Sequence, residues 1–140
     1  MRTLVLALLV IVVAPLGARA ADAPTAAARA TNEAARRAFL KYCASCHGPG
    51  GKGDGVASSF LNPKPTDLTQ FSKQHAGVFP FDQVLSAIDG TREVRGHGSS
   101  DMPVWGEAFN AQAGASSAEQ ADVRGKLQLI TEYVRSLQAP

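Results

Sequence analysis

Two thiols and an imidazole in one short run, Cys43-Ala44-Ser45-Cys46-His47, are the residues of this chain best suited to chemistry. Cysteines three apart, followed at once by histidine, have the spacing of a covalent c-type haem attachment. Each thiol adds across one vinyl group at the ring edge, and a single turn of chain spans the two vinyls. The next residue then lies under the ring, where an imidazole nitrogen binds iron. On this pattern Cys43 and Cys46 carry the thioethers of one haem c, and His47 is the proximal axial ligand. Other uses of the pair fit less well. A thioredoxin-like pair opens a helix after a strand within a βαβ unit, and no strand pattern precedes Cys43. A four-coordinate zinc needs two more ligands. The chain has no third cysteine, and His75 and His97 lack a His-x₃₋₅-His spacing. A structural disulfide leaves His47 without a role.

The second axial position decides what such a centre does. Past residue 20, Met102 is the only methionine, about 55 residues after His47. Asp101 and Pro103 flank it, which suits a loop better than the gap-filling core role common for methionine. Met/His ligation is an established arrangement for haem. His97 and His75 are the alternatives, each giving a bis-histidine site or a surface residue, and His97 is the stronger rival. His97, Arg92, Arg95 and the indole N–H of Trp105 are also donors for a haem propionate, with solvated surface the competing role for the arginines. A ligating histidine usually donates its second ring N–H to a carbonyl. A carbonyl near Pro63 or Pro65 is the candidate acceptor for His47, and Leu68 and Phe71 are placed to cover a haem face.

Those residues need elements to position them. Residues 21–31 are alanine-rich and are expected to form a mobile lead-in. From about Asn32, a candidate cap, Ala35, Ala38, Phe39 and Tyr42 recur at helical spacing and run into the cysteine motif. The glycine-rich stretch 48–55 lacks the strand before it and the Gly-Lys-Ser/Thr ending of a phosphate loop. It reads instead as a tight turn beside a flat cofactor, where side chains would clash. Residues 62–68, with Pro63 and Pro65, are stiff and extended. Phe81 to Ile88 is a short amphipathic helix, with Pro80 suited to its first turn and Gly90 just past its end. Residues 91–100 are expected to be loop. Ser116 to Glu119 has the capping-box pattern, and Val123, Leu127, Ile130, Val134 and Leu137 then form one stripe, with Tyr133 beside it. That stripe is expected to pack on the face carrying Phe39 and Tyr42. No run alternates as a strand does, so the fold class is all-α.

The 140 residues suggest one domain, 32–140, behind an export signal. A basic start at Arg2, an apolar run over residues 4–14 and Ala18-Arg19-Ala20 give a secretory signal over 1–20. The run is too short to span a bilayer, and no cysteine follows it for lipidation. A retained N-terminal anchor is the alternative. Export and haem attachment agree, because thioethers form on the far side of the membrane the signal crosses. The formal net charge is +2. Loss of residues 1–20 removes Arg2 and Arg19 and no acid, leaving 12 basic against 12 acidic residues. Such a balance favours neither nucleic acid nor an anionic membrane.

Together these features resemble a class I, mono-haem, His/Met-ligated c-type cytochrome. The match covers the attachment motif after a helix, Gly-Lys-Gly-Asp-Gly, a proline segment, His-Gly-x-x-Asp-Met-Pro-x-Trp-Gly and a C-terminal amphipathic helix. The resemblance implies a small all-α fold, its terminal helices packed together around one haem, with Phe39 and Tyr133 at their contact. The family often has a glycine where those helices cross, and here Ala34 or Ala35 must serve. It also implies a single-electron carrier; the export signal adds a periplasmic location, and a monomer is expected. Its partners would be a donor dehydrogenase and an acceptor oxidase or reductase, met through an apolar rim that includes Pro103, Val104 and Trp105. The competing functions are a haem enzyme or gas or peroxide sensor with a displaceable sixth ligand, and a haem relay subunit of a larger dehydrogenase or oxidase.

Overall fold

In the computed structural model, which describes residues 24–91, 102–113 and 116–139, the first helix starts earlier than its apolar pattern. Helix α1 spans Ala26–Tyr42, and Thr25 caps it by accepting from the Ala28 N–H (3.2 Å). Residues 26–31 are therefore its opening turns, not a mobile lead-in. Alanine has the highest helix propensity and needs no apolar stripe to be helical, so periodicity alone misses this part. Asn32 sits inside the helix.

A bend at Cys43 separates α1 from the single turn α2 (Ala44–His47). Two 3₁₀ turns, Ser58–Phe60 and Leu68–Gln70, lead into α3 (Phe71–Gln74). Helix α4 spans Phe81–Asp89 and stops where expected, at Gly90 in the left-handed region (φ 85°), whose N–H donates to Ser86. Pro80 is its cap and not part of its first turn. Helix α5, Trp105–Gln112, has no forerunner in the sequence pattern, because eight residues carry too few apolar repeats. Helix α6, Ser117–Ser136, begins with the expected capping box between Ser116 and Glu119. All regular elements among the described residues are helical, and none of these helices is long and apolar enough to cross a membrane.

The core lies where α6 meets α1, α4 and α5. Val123, Leu127, Ile130 and Val134 are buried along α6, as their spacing predicts, while Leu137 caps the helix half-buried. Fully burying a side chain of this kind stabilises the fold by about 1.5–3 kcal/mol. Phe39 is fully buried, and its ring lies 5.0 Å from that of Tyr133. Ala35, not Ala34, is the small buried residue at this crossing, beside Glu132, Tyr133 and Ser136. Tyr42 turns elsewhere: its ring packs on Trp105 (5.3 Å) and Phe109 (4.9 Å) of α5.

The end of α4 and the start of α5 pack closely. A Cβ on Gly106 would lie 2.5 Å from the Asp89 carbonyl oxygen, and one on Gly90 would strike the Val104 side chain. Gly106→Ala is accordingly expected to cost about 2–3 kcal/mol, since a carbonyl in a helix end cannot swing aside as a side chain does. In thermal unfolding by circular dichroism that is a fall of roughly 5–15 °C.

Candidate functional site

The cysteine motif is built as a hinge between two helices. Cys43 ends α1, donating its N–H to the Phe39 carbonyl (2.8 Å), and caps α2 by accepting from the N–H of His47 (2.9 Å). Cys46 and His47 lie inside that turn. Cys43 is buried, Cys46 is half-buried, and no disulfide joins them. Burial, with the nearby Cys46 adding to it, pushes the Cys43 thiol up to about 12. A thioredoxin-type pair needs the opposite, a thiol lowered toward neutrality. No three His, Cys, Asp or Glu residues cluster as a metal site among the described residues.

His47 is buried, at 6% exposure. Its Nδ1 lies 3.0 Å from the Thr66 carbonyl oxygen. A carbonyl only accepts, so Nδ1 carries the proton and, in the neutral ring, Nε2 carries the lone pair. The expected partner was a carbonyl near Pro63 or Pro65, and it is the residue directly after Pro65. Pro65 is half-buried. Asp67, which follows Thr66, accepts from the Thr69 N–H (2.9 Å) and hydroxyl (2.7 Å) and so caps the next 3₁₀ turn. Those two bonds hold its carboxyl below the usual carboxylate range.

The glycine-rich loop seals the other side of α2. Three N–H groups, from Gly53 and Gly55 of the loop and Ala57 just after it, donate to the carbonyls of His47 (2.9 Å), Cys46 (3.1 Å) and Ser45 (2.9 Å). These are carbonyls that the end of a helix leaves without intrahelical partners. The loop must lie flat on α2 to do this. A Cβ on Gly55 would strike the Ser45 carbonyl and lie 2.6 Å from that of Ala44, and one on Gly53 (φ 76°) would strike the Pro65 carbonyl. At Gly53 and Gly55, contact with neighbouring backbone is by itself enough to require glycine. Next along, the Leu68 N–H donates to the Gly51 carbonyl (2.7 Å). Leu68 and Phe71 are half-buried against the core, with the Phe71 ring 6.5 Å from that of Phe79.

The fold therefore brings Cys43, Cys46, His47, Pro65 and Leu68 together around the α2 turn. Met102 is half-buried, three residues before α5. Trp105 is half-buried with its ring on Tyr42, the neighbour of Cys43, and on Phe109 (5.4 Å). The Met102 segment is thereby tied beside the end of α1, since three residues reach at most about 10 Å. Of the anticipated apolar rim, Val104 is 40% exposed while Trp105 is drawn inward. Val56 and Phe60, which the sequence did not single out, are far more exposed, at 86% and 87%. His75, just past α3, is exposed, and its Nδ1–H donates to the carbonyl of Phe71, the first residue of that helix (2.8 Å). Arg92, Arg95, His97 and Asp101 lie outside the described residues.

Two parts of this unit had no signal in the sequence. Thr66 acts through its backbone, which any residue carries. Gln138 joins the unit from the far end of the chain, with its side chain bonded to Leu68 and Ser72. A scan against protein-family models and a search of curated proteins find no match to this chain.

Proposed function

We propose that this chain is an exported single-electron carrier of the class I c-type cytochrome kind, holding one haem c. Cys43 and Cys46 would provide the thioethers, His47 the proximal ligand and Met102 the second axial ligand. The observation that carries this reading is the buried His47 with Nδ1 committed to the Thr66 carbonyl, in the same turn as the two thiols. The donor set fits the group: two thiols one turn apart, an imidazole of fixed tautomer, and half-buried apolar side chains at Leu68 and Phe71. When bound, the haem supplies a one-electron couple. The Thr66 carbonyl orients the His47 ring and raises its basicity. A Met102 thioether would favour the reduced state of the group relative to a second histidine. Residues 1–20 would direct the chain to the periplasm. There Val56, Phe60 and Val104 offer apolar surface for brief contact with a donor dehydrogenase and an acceptor oxidase or reductase.

The test is made on protein from cells competent for haem attachment. The mass should rise by one haem, and the oxidised spectrum should show a methionine–iron charge-transfer band with slow cyanide binding. Unmodified thiols in the mature protein would refute the proposal. Met102→Ala should open the iron to cyanide, speeding its binding by an order of magnitude or more. Met102→His should keep a low-spin centre and lower the potential, within the roughly 0.8 V that axial ligands span. His97→Ala should leave the axial spectrum unchanged. If His97→Ala abolishes the low-spin spectrum and Met102→Ala preserves it, the ligand is His97.

A further inference from the structure

The C-terminal end of α6 reaches back to the segment that holds His47. Gln138, just past the helix, is half-buried, and its side-chain amide makes three hydrogen bonds. Nε2 donates to the carbonyls of Leu68 (2.8 Å) and Val134 (2.8 Å), and Oε1 accepts from the Ser72 N–H (2.9 Å). The adjacent Ala139 N–H donates to the Thr69 carbonyl (3.0 Å). Residues 68–72 are thus fastened at Leu68 and Ser72 to Gln138 and at Thr69 to Ala139, about seventy positions away. Thr66, whose carbonyl receives the His47 Nδ1–H, lies two residues before Leu68.

We propose that Gln138 is a positioning residue for His47, acting through Leu68 and Thr66 to hold the carbonyl that sets the ring's tautomer and basicity. A primary amide suits the place, because it donates to two carbonyls and accepts from one N–H at once, the Val134 oxygen also receiving the Leu137 N–H (3.2 Å). A carboxylate serves the N–H of Ser72 but sets negative charge against the Leu68 and Val134 oxygens. A thioether of similar length fills the space and serves none of the three groups. Leu68 is held from the other side by the Gly51 carbonyl, and the Leu137 side chain packs at Gly51. The last residues of α6 and the glycine-rich loop therefore grip the same segment. The consequence for iron rests on the haem function proposed above, whereas the effect on the His47–Thr66 hydrogen bond does not.

The experiment compares wild type, Gln138→Met, Gln138→Glu and Val123→Ala, the last a buried α6 residue roughly 20 Å along the helix from Gln138. Exchange of the His47 Nδ1–H with solvent is followed by NMR on each protein as purified. The midpoint potential is measured on those that carry haem. Both Gln138 variants should exchange on the order of tenfold faster than wild type, with Glu the faster. Their potentials should rise, because a less basic His47 stabilises oxidised iron less. Val123→Ala should lower the melting temperature and leave both readings at wild-type values. Gln138 variants that lose stability with exchange within threefold of wild type would make the residue purely structural and overturn the proposal. Equal acceleration in Val123→Ala would overturn it too. A wild type without covalent haem refutes the electron-carrier function alone, and the exchange rates still decide the role of Gln138.

Discussion

Cys46→Ala, produced with the haem-attachment machinery, is expected to yield at least tenfold less covalent holoprotein than wild type, and Cys43→Ala is expected to do the same. The two variants separate attachment from packing. Cys43 belongs to the buried core at the α1–α2 bend, so its replacement also removes a buried sulfur. Cys46 is half-buried and outside that core, and its loss costs little packing. A common collapse in yield therefore reports the missing thioether. The collapse should be large because a domain of about 110 residues has a modest core and depends on whatever else it encloses. Haem staining after denaturing electrophoresis gives the yield, and mass spectrometry gives the attachment. Cys46→Ala protein that matures as well as wild type would show that Cys46 does not hold the cofactor.

What the sequence announces and what it conceals divide along a physical line. Helix α6 is legible end to end, because twenty residues hold four stripe positions, a fifth caps the end, and its capping box is local. The Gly90 stop of α4 is legible for the same reason, since a left-handed residue there depends on its own helix alone. A carbonyl partner for His47 could be anticipated near Pro65, because prolines stiffen the segment that supplies it. The choice of Thr66 could not, as a backbone group leaves no mark on residue identity. Helix α5 went unseen because Trp105 and Phe109 alone make one repeat. Its place is fixed by tertiary contact, with Gly106 against Asp89 and Trp105 against Tyr42. Gln138 belongs with these. A glutamine after a helix looks like solvated surface until residues 68–72 arrive beside it.

The glycine-rich loop is legible as glycine-rich, and its packing on α2 is not, which leads to the other large expected effect. Gly55→Ala should destabilise the protein by at least about 3 kcal/mol, while Gly50→Ala, five residues earlier in the same loop, should change stability by no more than about 0.5 kcal/mol. Both substitutions add one methyl group and both remove backbone freedom from the unfolded chain. They differ in what the methyl meets. At Gly50 nothing lies within 4 Å of the new Cβ. At Gly55 it strikes the carbonyls of Ser45 and Ala44, which are held in place by the α2 turn. Relief requires the loop to lift off α2. Lifting it endangers the bonds from Gly53, Gly55 and Ala57 to the carbonyls of His47, Cys46 and Ser45, leaving three helix-end acceptors to water. It also loosens Gly53 from Pro65, beside the Thr66 carbonyl that orients His47. Gly55→Ala should therefore lower the melting temperature by roughly 10 °C or more and reduce haem incorporation, while Gly50→Ala does neither. Thermal unfolding followed by far-ultraviolet circular dichroism, with haem content measured on the same samples, makes the comparison. A Gly55→Ala protein melting within 2 °C of Gly50→Ala would show that the loop yields without loss, and that its contact with α2 is not what requires glycine.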